Sequence, residues 1–209
     1  MYGMVNQAVQ DMVLQLSGGP KLWAAISERA GLDLEFVAMD NYDDAITTTL
    51  VAAASDVLGL SSHEVLEAFG EHWIRYTAEQ GYGPMLAAMG RTLPQFLGNL
   101  DSMHSRIALN MPELRPPSFA CEELGEGQLV LRYWSDRPGL APMVSGILKG
   151  LARRFALDVV VTWDDPRPVG KDHDSFLAAY QPTETPPSGS TVAGAERNPD
   201  GAVGSAQAP

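Results

Sequence analysis

A single histidine lies within an apolar helical pattern in the stretch NLDSMHSRI. On the helix predicted over residues 92–111, His104 shares one face with three apolar side chains, Leu97, Leu100 and Ile107. Three roles are open for a histidine in this position. It could be a core side chain with both ring nitrogens hydrogen-bonded, a general base, or an axial ligand to haem iron.

The other potential metal ligands do not complete a site around this histidine. His63 and His72 are nine residues apart, which does not bring them to one helical face, and His173 lies in a polar segment where we expect it to be solvated. The single cysteine, Cys121, excludes an intramolecular disulfide and a multi-cysteine zinc site. Zinc and non-haem iron are therefore disfavoured, and a cofactor that needs one protein ligand is compatible.

A second group of residues could bind an anion. The segment YWSDR places Tyr133, Ser135 and Arg137 at alternate positions, which share a face if the strand continues through them. Two hydroxyls and a guanidinium suit a pair of carboxylates or a phosphate, because arginine binds such groups bidentately. An exposed polar strand face would give the same pattern by chance. We refer to this group as the Y-x-S-x-R motif.

Helices in the first part of the chain and strands in the second part must position these residues. Residues 1 to about 117 show helical spacing of apolar residues, in segments bounded by glycine, proline or capping residues such as Ser61 and Glu64. The predicted helices cover residues 5–16, 20–31, 45–59, 61–80, 84–90 and 92–111.

After residue 117 the apolar spacing becomes that of strands. Residues 119–124 and 128–134 are predicted strands joined by the turn GEG, as in a hairpin. Residues 139–156 return to helical spacing, and the β-branched run in 157–163 predicts another strand. The predicted fold class is α+β: an N-terminal helical subdomain followed by an antiparallel sheet with packed helices.

Composition and charge restrict the classes of partner. The net charge of −12 would repel a nucleic-acid backbone, so we expect no nucleic-acid binding. No run approaches the roughly 18–20 apolar residues that span a bilayer, and no secretory signal is recognisable, so we expect no membrane association and a cytoplasmic location. Residues 181–209 lack aromatic residues, Leu, Ile and Met, which predicts a disordered tail after a domain of residues 1–180.

Several segments together resemble one known family: MYGMVNQAVQDMV, LVAAASDVLGL, FGEHW, GYG, NLDSMHSRI, MPELRPPSFAC and YWSDRPGL. Their order and spacing are similar to those of the haem-nitric oxide/oxygen binding (H-NOX) family, which includes the haem domain of soluble guanylate cyclase. The resemblance covers about residues 1–180. It implies the H-NOX fold, with haem b held between the helical subdomain and the sheet.

The resemblance also implies roles for individual residues. His104 would be the proximal ligand to the haem iron, through a neutral imidazole nitrogen. The Y-x-S-x-R motif would hold the haem propionates, and Pro117 matches a proline that presses on the haem and distorts it. Asp43 or Asp44 would pair with Arg137, although either aspartate could equally cap a helix.

The side of the haem opposite the histidine would decide ligand choice. Bound O₂ gains from a nearby hydrogen-bond donor, whereas NO and CO depend on one much less. Family members that hold O₂ stably carry a tyrosine on the helix after the motif. Aligning on the glycine of MVSG puts Met143 there, counting from Arg137 gives Pro142, and neither can donate. Trp73 matches another position in this pocket, and its indole N–H is a donor, although core packing would also explain Met143 and Trp73.

The resemblance therefore implies a ferrous haem protein selective for NO over O₂ and not an enzyme. NO would weaken or break the bond between iron and His104, and the histidine's helix would then shift. No kinase or cyclase segment follows residue 180, so we expect a separate signalling partner, which in bacterial relatives is commonly a histidine kinase or a diguanylate cyclase/phosphodiesterase. An O₂ or redox sensor, a peroxidase-like haem enzyme and a haem-free interaction module are the alternatives.

Overall fold

The fold begins with four helices that follow the predicted apolar spacing. In the computed structural model, which describes residues 1–32, 35–163 and 169–183, they are α1 (Gly3–Leu14), α2 (Gly19–Ala30), α3 (Asp44–Leu58) and α4 (Ser62–Thr77). The predicted capping box is present at α4. The Ser61 hydroxyl accepts a hydrogen bond from the Glu64 N–H, and the Glu64 carboxylate accepts one from the Ser61 N–H. Two otherwise unpaired N–H groups are thereby satisfied at the start of α4.

The chain changes direction after α4. A π-helical turn, Ala78–Tyr82, connects α4 to the short helix α5 (Gly83–Ala88). Within the turn, Gln80 and Gly81 leave helical geometry, and Gly81 has a φ of +93°. Only glycine adopts that conformation without steric cost, so this position requires it.

The helix predicted over residues 92–111 is in fact two helices, α6 (Leu93–Gly98) and α7 (Leu100–Ala108). They meet at Asn99, whose side-chain amide donates to the carbonyls of Met89 (2.7 Å) and Gln95 (3.0 Å). The prediction of one continuous helix was wrong because apolar periodicity does not record an asparagine that bonds to the backbone and ends a helix.

A four-stranded antiparallel sheet and one long helix form the rest of the domain. Their order along the chain is β1 (Ser118–Gly125), β2 (Gln128–Trp134), α8 (Ala141–Arg154), β3 (Leu157–Trp163) and β4 (Asp174–Pro182). The strand order across the sheet is β1-β2-β4-β3. The α+β class and the β1–β2 hairpin are confirmed.

Strand β4 was not predicted, and it extends beyond the expected end of the domain at residue 180. Gln181 pairs with Asp158 and Pro182 with Leu157 across β3 and β4. The prediction that the tail starts at residue 181 was therefore wrong for these two residues. Pairing with β3 satisfies their backbone groups, and local composition does not reveal such pairing. From residue 184 onward the predicted tail lies outside the described residues.

The main core lies between the inner face of the sheet and α8. Leu129, Leu131 and Phe176 of the sheet are fully buried, as are Leu148 and Leu151 of α8. They form one apolar cluster with residues of α4 to α7. A second cluster, within α1 to α3 and the start of α4, stabilises the N-terminal helices.

Within the described ranges, no single helix is long and apolar enough to cross a bilayer. One bent pair, α3 with Ser62–Ala88, meets the length and composition criteria together, with a 110° bend between its parts. Both helices of the pair bury apolar residues in the core, among them Leu50 and Phe69.

Candidate functional site

One cavity of about 250 Å³ contains all seven residues assigned to the site from sequence. Its wall is mostly apolar and is formed by α1, α4 to α8, the start of β1, the end of β2 and the segments that precede β1 and follow β2. The seven residues assigned from sequence are Trp73, His104, Pro117, Tyr133, Ser135, Arg137 and Met143, and other residues line the cavity with them. Segments far apart in sequence therefore meet at one place.

His104 enters the cavity from α7 and lies against Phe119, with ring centroids 6.0 Å apart. Its Nδ1 atom is buried and has no hydrogen-bond partner among the described residues. Burial lowers the pKa of His104 below its ordinary value, against weaker opposing effects of the Asp101 carboxylate and the Pro117 backbone. The imidazole is therefore neutral at pH 7, the form that binds a metal.

The helix that carries His104 is fastened to the sheet by Asp101. The two carboxylate oxygens of Asp101 accept hydrogen bonds from the Ser118 hydroxyl (2.6 Å) and the Phe119 N–H (2.9 Å), both in β1. Among the described residues, no hydrogen bond joins Asp101 to His104. This arrangement gives His104 no carboxylate partner for general-base catalysis.

The Y-x-S-x-R motif faces the cavity, but not as a continuous strand. Strand β2 ends at Trp134, so only Tyr133 belongs to it. The backbone then turns, and the Ser135 hydroxyl accepts a hydrogen bond from the Arg137 N–H at 3.1 Å. The prediction that strand alternation aligns the three side chains was wrong; the turn after the strand brings Ser135 and Arg137 to the same cavity.

Arg137 is fixed by two acceptors from other parts of the chain. Its Nε donates to Asp44 Oδ2 at 2.7 Å, and its Nη1 donates to the Arg115 carbonyl at 2.6 Å. Burial tends to raise the pKa of Asp44, but hydrogen bonds from the Met1 amino group and Arg137 outweigh it and lower that pKa. Asp43 instead caps α3, accepting from the Ala45 N–H at 2.8 Å. Both expected aspartate roles therefore occur, one on each residue.

Another part of the cavity wall is built by α4 and α8. Met143 lines it and Pro142 does not, so the alignment on MVSG gives the cavity-facing residue. Trp73 is held by ring contacts to Phe69 (6.0 Å between centroids) and Tyr76 (6.2 Å). The side-chain hydroxyl of Thr77 donates to the Trp73 carbonyl at 2.7 Å. This part of the wall is therefore closely packed and mainly apolar.

Sequence reasoning missed other cavity residues. Tyr2, Thr77 and Tyr82 also line it and bring hydroxyl groups to the wall. The segments MYG and GYG, which contain the two tyrosines, contributed to the family resemblance, but no individual role had been assigned to them. Helical periodicity does not identify Tyr82, because a π-helical turn places it.

The remaining histidines and the cysteine lie away from this arrangement. No group of three or more His, Cys, Asp or Glu side chains within the described ranges could hold a metal ion. His173, expected to be solvated, is only 20% exposed and packs on Trp134 at 4.8 Å, so that expectation was wrong. Burial, with a contribution from Glu123, raises the pKa of Cys121 to about 11, which leaves the thiol unreactive as expected.

The donor set suits a flat apolar group that carries a metal and carboxylates. One neutral imidazole supplies a single metal ligand, and its buried Nδ1 atom has no hydrogen-bond partner among the described residues. The hydroxyls and guanidinium of the Y-x-S-x-R motif supply donors for carboxylates elsewhere on the same wall. These residues fit haem.

Comparisons with known proteins agree with this chemistry. The family model for Haem-NO-binding domains matches residues 2–163. Soluble guanylate cyclase gcy-32 of Caenorhabditis elegans is 35% identical over 166 residues, which cover 77% of this chain and 24% of the worm protein. The beta-2 subunit of soluble guanylate cyclase from Rattus norvegicus is 41% identical over 123 residues, 56% of this chain and 18% of that subunit. The chain thus spans about a quarter or less of these relatives.

The fold is also similar to solved structures. An H-NOX protein from S. oneidensis in the Fe(II)NO ligation state superposes with a TM-score of 0.75 and 23% identity, covering 87% of this chain and 99% of that one. An H-NOX structure from Shewanella woodyi in the Fe(II)CO ligation state has a TM-score of 0.71 and 23% identity, covering 90% and 98%. At this level of identity the similarity shows the shared fold.

Proposed function

The chain belongs to the Haem-NO-binding family, and on this premise we propose that it is a cytoplasmic NO sensor that uses ferrous haem b. His104 is the iron ligand, the Y-x-S-x-R motif holds the propionates and Pro117 presses on the ring. CO is a second diatomic ligand. The proposal assigns signalling to a separate protein, such as the histidine kinase or diguanylate cyclase/phosphodiesterase of bacterial family members, and no enzymatic reaction to this chain.

The observation that supports the proposal most is that one cavity is lined by a neutral histidine and an anion-binding motif. When bound, haem supplies an iron atom that takes one protein ligand and one diatomic ligand. His104 offers an uncharged nitrogen in an apolar setting, and the motif offers two hydroxyls and a guanidinium. Without both features the cavity would suit a small apolar molecule equally well.

Arg137 is held ready to bind carboxylates before any ligand arrives. Asp44 and the Arg115 carbonyl fix the guanidinium at 2.7 Å and 2.6 Å, so little side-chain entropy is lost when a propionate binds. The same ion pair links α3 to the segment after β2. Propionate binding and the position of the N-terminal helices are therefore coupled through Asp44.

His104 is a ligand that the protein can release. Histidine ligands usually donate their second nitrogen to a carboxylate or carbonyl, which strengthens the metal bond. Here Nδ1 has no partner within the described chain, and both oxygens of Asp101 are engaged by β1. No carboxylate strengthens the imidazole as a ligand, which would favour loss of His104 from iron when NO binds. Helix α7 would then shift relative to the sheet, and a partner that contacts both states differently would detect the change.

Met143 on the wall formed by α4 and α8 supports a preference for NO over O₂, although the Trp73 indole on the same wall is a hydrogen-bond donor. Met143 at the position after the motif has no hydrogen-bond donor, so bound O₂ gains no stabilisation there. NO and CO need no such donor. We therefore propose that NO is bound in preference to O₂.

The ligand assignment is tested by anaerobic absorption spectra of wild type and His104→Gly, with and without NO. Wild type should show a histidine-ligated ferrous haem, and the variant should lose that spectrum and regain it when imidazole is added. Retention of the wild-type spectrum in His104→Gly without imidazole contradicts the assignment. A stable oxy spectrum of the reduced wild type in air contradicts the stated NO selectivity.

The propionate assignment is tested by replacing Tyr133, Ser135 and Arg137 together with alanine. We expect haem to transfer to apomyoglobin at least tenfold faster, because several charge-assisted hydrogen bonds are lost. Arg132→Ala is the matched control, since Arg132 is on β2 but pairs with Glu122 on the surface. Equal transfer rates in wild type and the triple variant would contradict the assignment.

A further inference from the structure

The tryptophan between the two hydroxyl residues of the Y-x-S-x-R motif, Trp134, has no role in the proposed sensor. It is the last residue of β2 and is partly buried. Its ring packs on the His173 imidazole, with centroids 4.8 Å apart and planes inclined by 38°. His173 immediately precedes β4, the strand next to β2 in the sheet. This ring contact therefore lies where the motif leaves the sheet.

Asp172 joins the two rings through hydrogen bonds. The His173 Nδ1 atom donates to Asp172 Oδ1 at 2.7 Å. That hydrogen bond lowers the pKa of Asp172 below its ordinary value; burial opposes it, and a hydrogen bond from the Trp134 side chain adds to it. The donor in tryptophan is the indole N–H, the one hydrogen-bonding group of that side chain. We refer to Trp134, His173 and Asp172 as the Trp134 cluster.

The neighbouring strands hold Trp134 from both sides. On one side its backbone pairs with Ser118 of β1, whose hydroxyl donates to Asp101 of α7 at 2.6 Å. On the other side its ring contacts His173, in the segment before β4. The end of β2 is thereby fixed at the point from which the motif continues into its turn.

The turn after Trp134 passes any displacement of this residue to the motif. Consecutive Cα atoms are about 3.8 Å apart, so a shift of Trp134 displaces Ser135 directly. The Ser135 hydroxyl accepts from the Arg137 N–H at 3.1 Å, and the Arg137 guanidinium is fixed separately by Asp44 at 2.7 Å. The distance between the hydroxyls and the guanidinium therefore depends on Trp134 staying in place.

We propose that Trp134 is a positioning residue for the propionate site and acts through Tyr133 and Ser135, its neighbours in sequence. Held by the segment before β4, it keeps their two hydroxyls at the spacing from Arg137 that carboxylates require. Trp134, unlike these neighbours, lies outside the cavity lining formed by the described residues. The inference rests on the proposed function, because it requires propionates at the motif.

The main test compares haem transfer to apomyoglobin from wild type, Trp134→Ala and Arg132→Ala. Trp134→Ala should transfer haem about tenfold faster, because misplaced hydroxyls lose hydrogen bonds to the carboxylates. Arg132→Ala is the matched control and should match wild type, since Arg132 lies two residues earlier on the same face of β2. Equal rates in wild type and Trp134→Ala overturn the inference, as does an equal acceleration in Arg132→Ala.

A second comparison separates positioning from a general loss of stability. Trp134→Ala is added to the variant in which Tyr133, Ser135 and Arg137 are all replaced with alanine. If Trp134 acts through the motif, haem transfer should become no faster there, because residues that act through one another are not additive. A further acceleration as large as that in the wild-type background overturns the inference, since a structural role would persist without the motif.

Asp172→Ala tests the same cluster without removing a large ring, so it decides the matter even if Trp134→Ala does not fold. It should shift the propionate bending bands in resonance Raman spectra of the reduced haem protein. Haem transfer should become about twofold faster, a small effect because Asp172 is 81% exposed. Lys171→Ala, at the neighbouring exposed position, is its control and should match wild type.

Unchanged propionate bands in Asp172→Ala overturn the inference, and so does an equal shift in Lys171→Ala. Failure of the proposed function is distinguishable from either result, because wild type would then lack a histidine-ligated haem spectrum altogether.

Discussion

Two helices on the cavity wall are held in opposite ways. Helix α4 contacts α8 backbone to backbone: a Cβ added at Gly70 would lie 2.0 Å from the Met143 carbonyl oxygen, and one at Gly146 would lie 1.9 Å from that of Glu67. Helix α7 has Leu100 as its one buried residue and depends on Asp101 for its polar attachment to β1.

The difference shows which wall can move. Because α4 and α8 have no space between their backbones, displacement of one requires displacement of the other. Helix α7 can move if the two hydrogen bonds between Asp101 and β1 break and the packing of Leu100 changes. The histidine thus lies on the loosely held side, and the cavity-lining residues Trp73 and Met143 lie on the rigid side.

The largest expected effect is on the rigid side. Gly146→Ala places a methyl group where the Glu67 carbonyl lies, so we expect a loss of about 3 kcal/mol or more in the free energy of unfolding, measured with urea. Gly98→Ala is the control, since nothing lies within 4 Å of its added Cβ, and it should be neutral or stabilise by up to about 1 kcal/mol. Equal effects of the two substitutions would show that α4 and α8 are not tightly packed.

A smaller and local effect is expected on the loosely held side. Asp101→Ala leaves the Ser118 hydroxyl and the Phe119 N–H without their acceptor, at a cost of about 1–3 kcal/mol. Hydrogen exchange should accelerate in α7 and β1 but not in α4. Asp56→Ala, which breaks an exposed ion pair with Arg29, should change stability by less than about 1 kcal/mol. Uniform acceleration across the molecule would refute the separate anchoring of α7.

The smallest expected effect is on the pH dependence of the free energy of unfolding. It arises from His72 on α4. His72 is buried on α4 with Nε2 3.0 Å from Asp11 and Nδ1 3.0 Å from Arg75. Burial, then Arg75, lower the pKa of His72, and this outweighs the opposing effects of Asp11 and Glu79. The unfolded chain therefore binds a proton more readily than the fold, and stability should fall as the pH drops below about 6.5.

His72→Gln should flatten this dependence between pH 7 and 5 in urea unfolding, whereas His63→Gln, on the exposed start of α4, should leave it unchanged. A wild-type slope that survives in His72→Gln would assign the acid sensitivity to another group. Either result would show whether the polar contacts between α1 and α4 affect the stability of the closely packed side of the molecule.

Local sequence patterns determined much of this protein. Helical spacing and the capping box located α1 to α4, alternation located the β1–β2 hairpin, and ordered motifs indicated the family. His104 and the Y-x-S-x-R motif could be named because residue type and spacing restrict their chemistry: a histidine on an apolar face, and an arginine spaced with two hydroxyl groups. Pro117, Met143 and Trp73 were named only through the family resemblance. These features need no knowledge of distant contacts.

Only the tertiary structure decided the rest, because it depends on contacts between distant parts of the chain. Strand β4 exists through pairing with β2 and β3, and Asn99 ends α6 by bonding to Met89. The carboxylate of Asp44, 93 residues before Arg137, fixes that guanidinium. A π-helical turn, which apolar periodicity does not encode, brings Tyr82 to the cavity.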